Sequence, residues 1–135
     1  MRKLTMSISQ GAAANKSGQS LERDVEAVLN SFGIDFQKEV KFTNTYFNKN
    51  ARMDFLVGDL AIECKRQMVG GTADQKFPFV FNDLQLFPCA RGLVIIDGDH
   101  YKKREGIHKY LDSKKSDTFD WCFFDNFVDW LEVNL

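Results

Sequence analysis

The sequence predicts an α/β fold, a mixed β-sheet layered between helices, and three observations carry that prediction. Gly58-Asp59 separates two apolar runs and reads as a two-residue hairpin turn, with Gly supplying the positive φ. Gly92-Leu93-Val94-Ile95-Ile96 is a continuous apolar run, the pattern of a central strand buried on both faces. Leu21, Val25, Val28, Leu29 and Phe32 recur at helical spacing and form one apolar stripe ahead of the strands.

Taken in order, residues 1–17 are small and polar and read as a flexible arm before a single domain over 18–135. Within that arm Leu4, Met6 and Ile8 alternate as a short edge strand would. A helix follows from about Ser20. Ser17 or Ser20 can cap it, Glu22 and Asp24 suit its first turn, and Gly33 ends it at the position that tolerates left-handed geometry. Phe36 to Phe42 is expected to be a strand, although its apolar residues define no clean face, and 44–50 reads as a polar loop carrying Tyr46 and Phe47. The hairpin strands are expected at about 52–57 and 60–67. One face carries Phe55, Val57, Leu60, Ile62 and Cys64 as core; the other carries Asp54, Glu63, Lys65 and Gln67 as site. Thr72 through Gln75 fits a capping pattern for a helix running to about Leu86, which Pro78 either kinks or begins. The central strand at 91–97 precedes a charged helix from Tyr101 to about Ser113, a strand at 120–124 and a short helix from Phe127. The order is α-β-β-β-α-β with α-β-α at the C-terminal end, a three-layer mixed sheet.

Composition narrows the function. A chain of 135 residues with 44% hydrophobic residues supports one core, and its thirteen Phe suit a core filled by bulky side chains. Net charge is −1, so attraction to nucleic acid must come from local clusters and not from the overall field. Three cysteines without C-x-x-C spacing argue against a disulfide framework and a zinc site. With no long apolar run and no signal peptide, a soluble cytoplasmic protein is expected.

The hairpin carries the chemistry. Counting outward from Gly58-Asp59 puts Asp54 opposite Glu63 and Arg52 opposite Lys65. Cross-strand Cβ atoms lie roughly 5 Å apart, and two carboxylates that close need a cation between them. Mg²⁺ takes hard oxygen ligands and keeps several waters, so Asp54 and Glu63, with the backbone carbonyl of Cys64, make a plausible ligand set in which Mn²⁺ can substitute. Lys65 can orient or deprotonate an attacking water, or stabilise developing charge on phosphorus. Arg52 and Lys65, two opposed cations, want an anion such as phosphate. His100 and His108 are expected at the surface, and Cys64, Cys122 and Trp130 in the core.

The pattern Asp54-x8-Glu63-x-Lys65, after a helix bearing an inward glutamate, resembles the PD-(D/E)XK nuclease superfamily, with its restriction-endonuclease-like fold, over about residues 18–125. The resemblance implies catalytic roles for Asp54, Glu63, Lys65, Glu22 and Gln67. It also implies that Glu22 helps hold a metal or its waters, although Glu26, one turn later, lies on a similar face. The stretch Gly71-Thr72-Ala73-Asp74-Gln75-Lys76 resembles a helix start that brings Lys or Gln toward the site in some restriction enzymes. Met53 departs from the signature, which has Pro there. With Gln75, Lys76, Arg52, Arg66, Lys102 and Lys103 as nucleic-acid contacts, a metal-dependent DNA endonuclease follows. A restriction or homing enzyme that cuts both strands with one site per chain would work as a homodimer or higher homo-oligomer. A Holliday-junction resolvase and a phage or repair nuclease are alternatives. From other classes come a non-catalytic nucleic-acid-binding module and an assembly subunit with a wetted charged face.

Overall fold

Turn chemistry and apolar periodicity set the order of elements in the computed structural model, which describes residues 18–44, 49–66 and 90–135. Helix α1 (Gly18–Ser31) leads into β1 (Gln37–Asn44), β2 (Lys49–Val57) and β3 (Leu60–Arg66). Then come β4 (Arg91–Asp97), α2 (Asp99–Lys102), α3 (Glu105–Lys114), β5 (Phe119–Phe123), a 3-10 turn (Phe124–Asn126) and α4 (Phe127–Asn134). The five strands lie side by side in chain order. β1, β2 and β3 pair antiparallel, whereas β3, β4 and β5 pair parallel. The arm at 1–17, Tyr46 and Phe47, and the helix expected over 72–86 lie outside the described residues. Among the described residues no helix is long and apolar enough to cross a membrane.

The sheet buries both faces. On one side Leu21, Val25, Val28 and Leu29 of α1 and Phe127 and Leu131 of α4 pack on Phe55, Val57, Leu60, Ile62, Cys64, Leu93, Ile95 and Cys122. On the other, Tyr101, Ile107 and Leu111 pack on Met53, Ala61, Val94, Ile96 and Phe119. Helix α1 ends as its glycine predicts: Gly33 sits at φ 67, and the Ile34 N–H reaches back to the Leu29 carbonyl at 3.0 Å, closing a Schellman turn.

Four expectations are corrected. α1 begins at Gly18, so Ser20 lies inside the helix and Glu22 and Asp24 lie past its first turn; Ser17 lies outside the described residues. The helix expected at 101–113 is two helices broken at Lys103-Arg104. Tyr101 and Ile107 are both buried against the sheet but six residues apart, a spacing that sets them about 120° apart around a continuous helix, so the break brings both inward. β2 starts at Lys49, inside the expected loop. The hairpin also lacks a core face and a site face along its whole length. Phe55 and Val57 face α1, but Met53 faces the α2–α3 side. β1 behaves likewise: Lys38 pairs with Glu26 of α1, whereas Val40 and Phe42 pack on the opposite side. Both strands change facing between Lys38 and Val40 and between Phe55 and Met53, which is why the Phe36–Phe42 pattern showed no clean face.

Candidate active site at the parting of β2 and β3

The change of facing centres on Asp54 and its neighbour across the ladder, Glu39. Pairing of β2 with β3 runs from Val57↔Leu60 through Phe55↔Ile62. Where the next rungs would fall, side chains bridge the strands instead. The Cys64 N–H donates to Asp54 Oδ2 at 2.8 Å, and the Asp54 N–H donates to Glu63 Oε1 at 3.3 Å. Asp54 and Glu63 therefore face each other across the strands, as expected, with their carboxyl groups standing in for backbone rungs. Both are buried, at 7% and 6% exposure.

Glu22 completes the group from α1. Its carboxyl is pushed up to about 7 from 4.5, first by burial and then by the charge of Asp54 and a hydrogen bond to it, with Arg52 pulling the other way. The Glu63 carboxyl is held well above the usual carboxylate range, first by burial, then by its hydrogen bond to Asp54 and the charge there, while Lys65 opposes. Glu26, the rival to Glu22, is occupied elsewhere, its Oε1 lying 2.7 Å from Lys38 Nζ. Of the two, Glu22 is the one that meets Asp54.

Three acids thus crowd one buried edge with a lysine beside them, and raised carboxyl protonation is the mark of anions lacking a counter-charge. The donors are all hard oxygens, the class that suits Mg²⁺ or Mn²⁺ and not zinc. As they stand the carboxyls hydrogen-bond one another. Among the described residues no group of three or more His, Cys, Asp or Glu is placed so that it could hold a metal ion as it stands. A divalent ion taking the place of the shared protons fits the donor set.

The cations divide. The ladder expected to set Arg52 opposite Lys65 ends sooner, because β2 leaves β3 after Phe55; Arg52 pairs with Lys41 of β1 instead, and its Nη1 bonds Glu39 Oε1 at 3.0 Å. The Arg66 side chain is buried, its Nε lying 3.4 Å from Asp97 Oδ2 on β4, rather than turned outward to a phosphate. Lys102 and Lys103 stand at the sheet end where β3 finishes; Lys102 binds Asp125 at 3.0 Å and Lys103 is exposed. Gln67, Gln75 and Lys76 lie outside the described residues. His108 is not a free surface residue. Its ring stacks on Trp121 and meets the edge of Phe123, and its Nε2 lies 2.7 Å from the Tyr101 carbonyl. Cys64 and Cys122 are buried thiols, the second pushed up to about 12 by burial.

Sequence reasoning missed Glu39. Its signal was present in the broken alternation of Phe36–Phe42, which marks a place where the strand turns over. Compared with known families, residues 13–123 match the model of a PD-(D/E)XK nuclease superfamily domain. No curated protein and no solved structure gives a significant match.

Proposed function

The chain belongs to the PD-(D/E)XK nuclease superfamily and has its restriction-endonuclease-like fold, and from that premise we propose that it is a divalent-metal-dependent DNA endonuclease acting as a homo-oligomer. A nuclease domain implies a nucleic-acid substrate, and nucleases of this superfamily typically use divalent metals. The observation that carries the proposal is the meeting of Glu22, Asp54 and Glu63 where β2 and β3 part, with Lys65 one rung beyond Glu63 on the same strand face.

Phosphodiester hydrolysis adds water to phosphorus and expels an alkoxide. Asp54, Glu63 and the Cys64 carbonyl would hold the ion directly, and Glu22 would hold it or its waters. An Mg²⁺ held there would polarise the phosphate and lower the pKa of a water. Lys65 Nζ orients that water, accepts its proton when neutral, or stabilises charge on the phosphoryl oxygens when protonated. The Cys64 N–H fixes the Asp54 carboxylate through Oδ2. Arg52 and Lys103 offer backbone phosphates a charge-assisted contact that carries no sequence information. Two cuts in a duplex from one site per chain call for a symmetric assembly.

Supercoiled plasmid tests this directly. Wild type should nick or linearise it with Mg²⁺ or Mn²⁺ and not with EDTA, and Asp54→Ala and Lys65→Ala should not. Metal-independent cutting, or cutting that survives Asp54→Ala, overturns the mechanism. Equal retardation of DNA by wild type and variants, without any cutting, would make the chain a binding module.

A further inference from the structure

Glu39 is the one described non-glycine residue with positive φ, at 53°. Side chains other than glycine avoid this region because Cβ crowds the following carbonyl, and where they adopt it the surroundings enforce it, often at functional sites. It sits mid-strand, where such a conformation has no turn to serve.

Its place in the ladder shows what it does. β1 and β2 keep one register on either side, Lys38↔Phe55 before and Val40↔Met53 after, so neither strand carries an extra residue. The rung between them, Glu39 with Asp54, is missing from the ladder. Across it the facing of both strands inverts: Phe36, Lys38 and Phe55 lie toward α1, and Val40 and Met53 lie toward the α2–α3 side. An ordinary bulge bends one strand by adding a residue. Here one left-handed residue rolls the two-stranded ribbon over without changing the count. Asp54 is the residue at the roll axis, and its carboxylate lies between β2 and β3, accepting the Cys64 N–H at 2.8 Å.

We propose that Glu39 is a positioning residue whose left-handed backbone rolls the β1–β2 ribbon at Asp54 and thereby turns the Asp54 carboxylate into the gap between β2 and β3. Unrolled, with regular alternation, Met53 would share the face of Phe55, and Asp54 would project from the sheet instead of lying along it. The side chain adds a second contact, holding Arg52 at 3.0 Å on the side where Arg52 acts on Glu22. The activity arm of the test rests on the nuclease proposal; the structural arms do not.

Three substitutions of Glu39 separate backbone from charge. Glycine accepts positive φ freely, glutamine keeps the side-chain shape without the charge, and valine resists positive φ and favours regular strand. The primary readout is hydrogen exchange of the Cys64 amide, which the Asp54 carboxylate protects. Glu39→Gly and Glu39→Gln should keep that protection, and Glu39→Val should lose it. Cleavage by Glu39→Gly should exceed that by Glu39→Val by about 10²-fold, the cost of an ångström of misplacement. Glu39→Gln, with Arg52 released, should raise KM more than it lowers kcat. Melting temperature decides the matter if Glu39→Val does not fold. Glu39→Gly should melt at or above wild type, while the control Lys41→Gly, two residues on in regular strand, should melt below it. A Cys64 amide as protected in Glu39→Val as in wild type, or a Glu39→Gly protein that melts as low as Lys41→Gly, overturns the proposal. If wild type cuts nothing, the nuclease proposal fails while amide exchange and melting still judge Glu39.

Discussion

Replacing Asp54 with Asn should abolish cleavage and yet make the metal-free protein more stable. Asp54 is buried and hydrogen-bonded with Glu63 and Glu22, both of which are driven toward their protonated forms partly by its charge. Two unit charges about 5 Å apart at an effective dielectric near 20 repel by about 3 kcal/mol. Shared protons already relieve about half of that near neutral pH, as the raised Glu22 and Glu63 carboxyls indicate. Against the gain stands the bond from the Cys64 N–H, which falls from charge-assisted to neutral at a cost of about 1 kcal/mol. The balance at pH 8 in EDTA is stabilising by about 1 kcal/mol, or roughly 3–5 °C in melting temperature for a domain of this size. At pH 5 Glu22 and Glu63 hold their protons, the repulsion is gone, and the gain should vanish or change sign. Scanning calorimetry at both pH values reads this, alongside a cleavage assay expected to fall by at least about 10²-fold. A variant that melts below wild type at pH 8, or a gain undiminished at pH 5, would refute the electrostatic account of the site.

Wild type has its own pH signature. Glu22 rises from 4.5 to about 7 on folding, so its contribution to stability is full below pH 4.5 and is lost as pH rises through about 7; melting in EDTA should fall across that window. Ca²⁺ or Mg²⁺, which needs the deprotonated carboxyls, should flatten or reverse the trend, and an unchanged slope would argue against metal at these acids. Glu22→Gln should depress cleavage at saturating Mg²⁺ while Glu26→Gln, which loosens only the ion pair to Lys38, should not; equal losses would return the choice between them to open. Gly33→Ala should cost about 1 kcal/mol in denaturant unfolding, because nothing lies within 4 Å of the added Cβ and only the φ of 67° resists it.

Local chemistry was readable in the sequence wherever one residue type settles one geometry. Gly58-Asp59 fixed the hairpin, Gly33 the end of α1, and the run Leu93–Ile96 the buried strand β4. The acids were found because the count from the turn put Asp54 across from Glu63; the two do meet through their side chains, although the ladder itself ends one rung short of them. What escaped depended on a conformation that composition does not encode. Glu39 is an unremarkable residue type, and its left-handed backbone is set by tertiary packing, so the roll of the ribbon and the early end of the β2–β3 ladder could not be counted out in advance. The error at Arg52 shares that source: it was placed opposite Lys65 by extending the ladder, while the sheet pairs it with Lys41 and gives it a partner in Glu39. His108 was misjudged because its partners, Trp121 and Phe123, come from β5 and meet it only through the fold.

Cys64 gives the site a built-in clock. Its amide touches the acidic edge, but its thiol lies on the opposite side of the strand, in the core beneath α1, and burial pushes that thiol well above its ordinary range. Cys122 occupies the same core two strands away on β5. A thiol reagent can reach either one only when α1 or α4 lifts from the sheet, so labelling rates measure opening and not surface chemistry. Equal rates at the two positions mean that this core breathes as one unit. Faster labelling at Cys64 means that the acidic edge opens by itself, and suppression of that rate by Mg²⁺ would convert ion binding into a measured slowing of a motion.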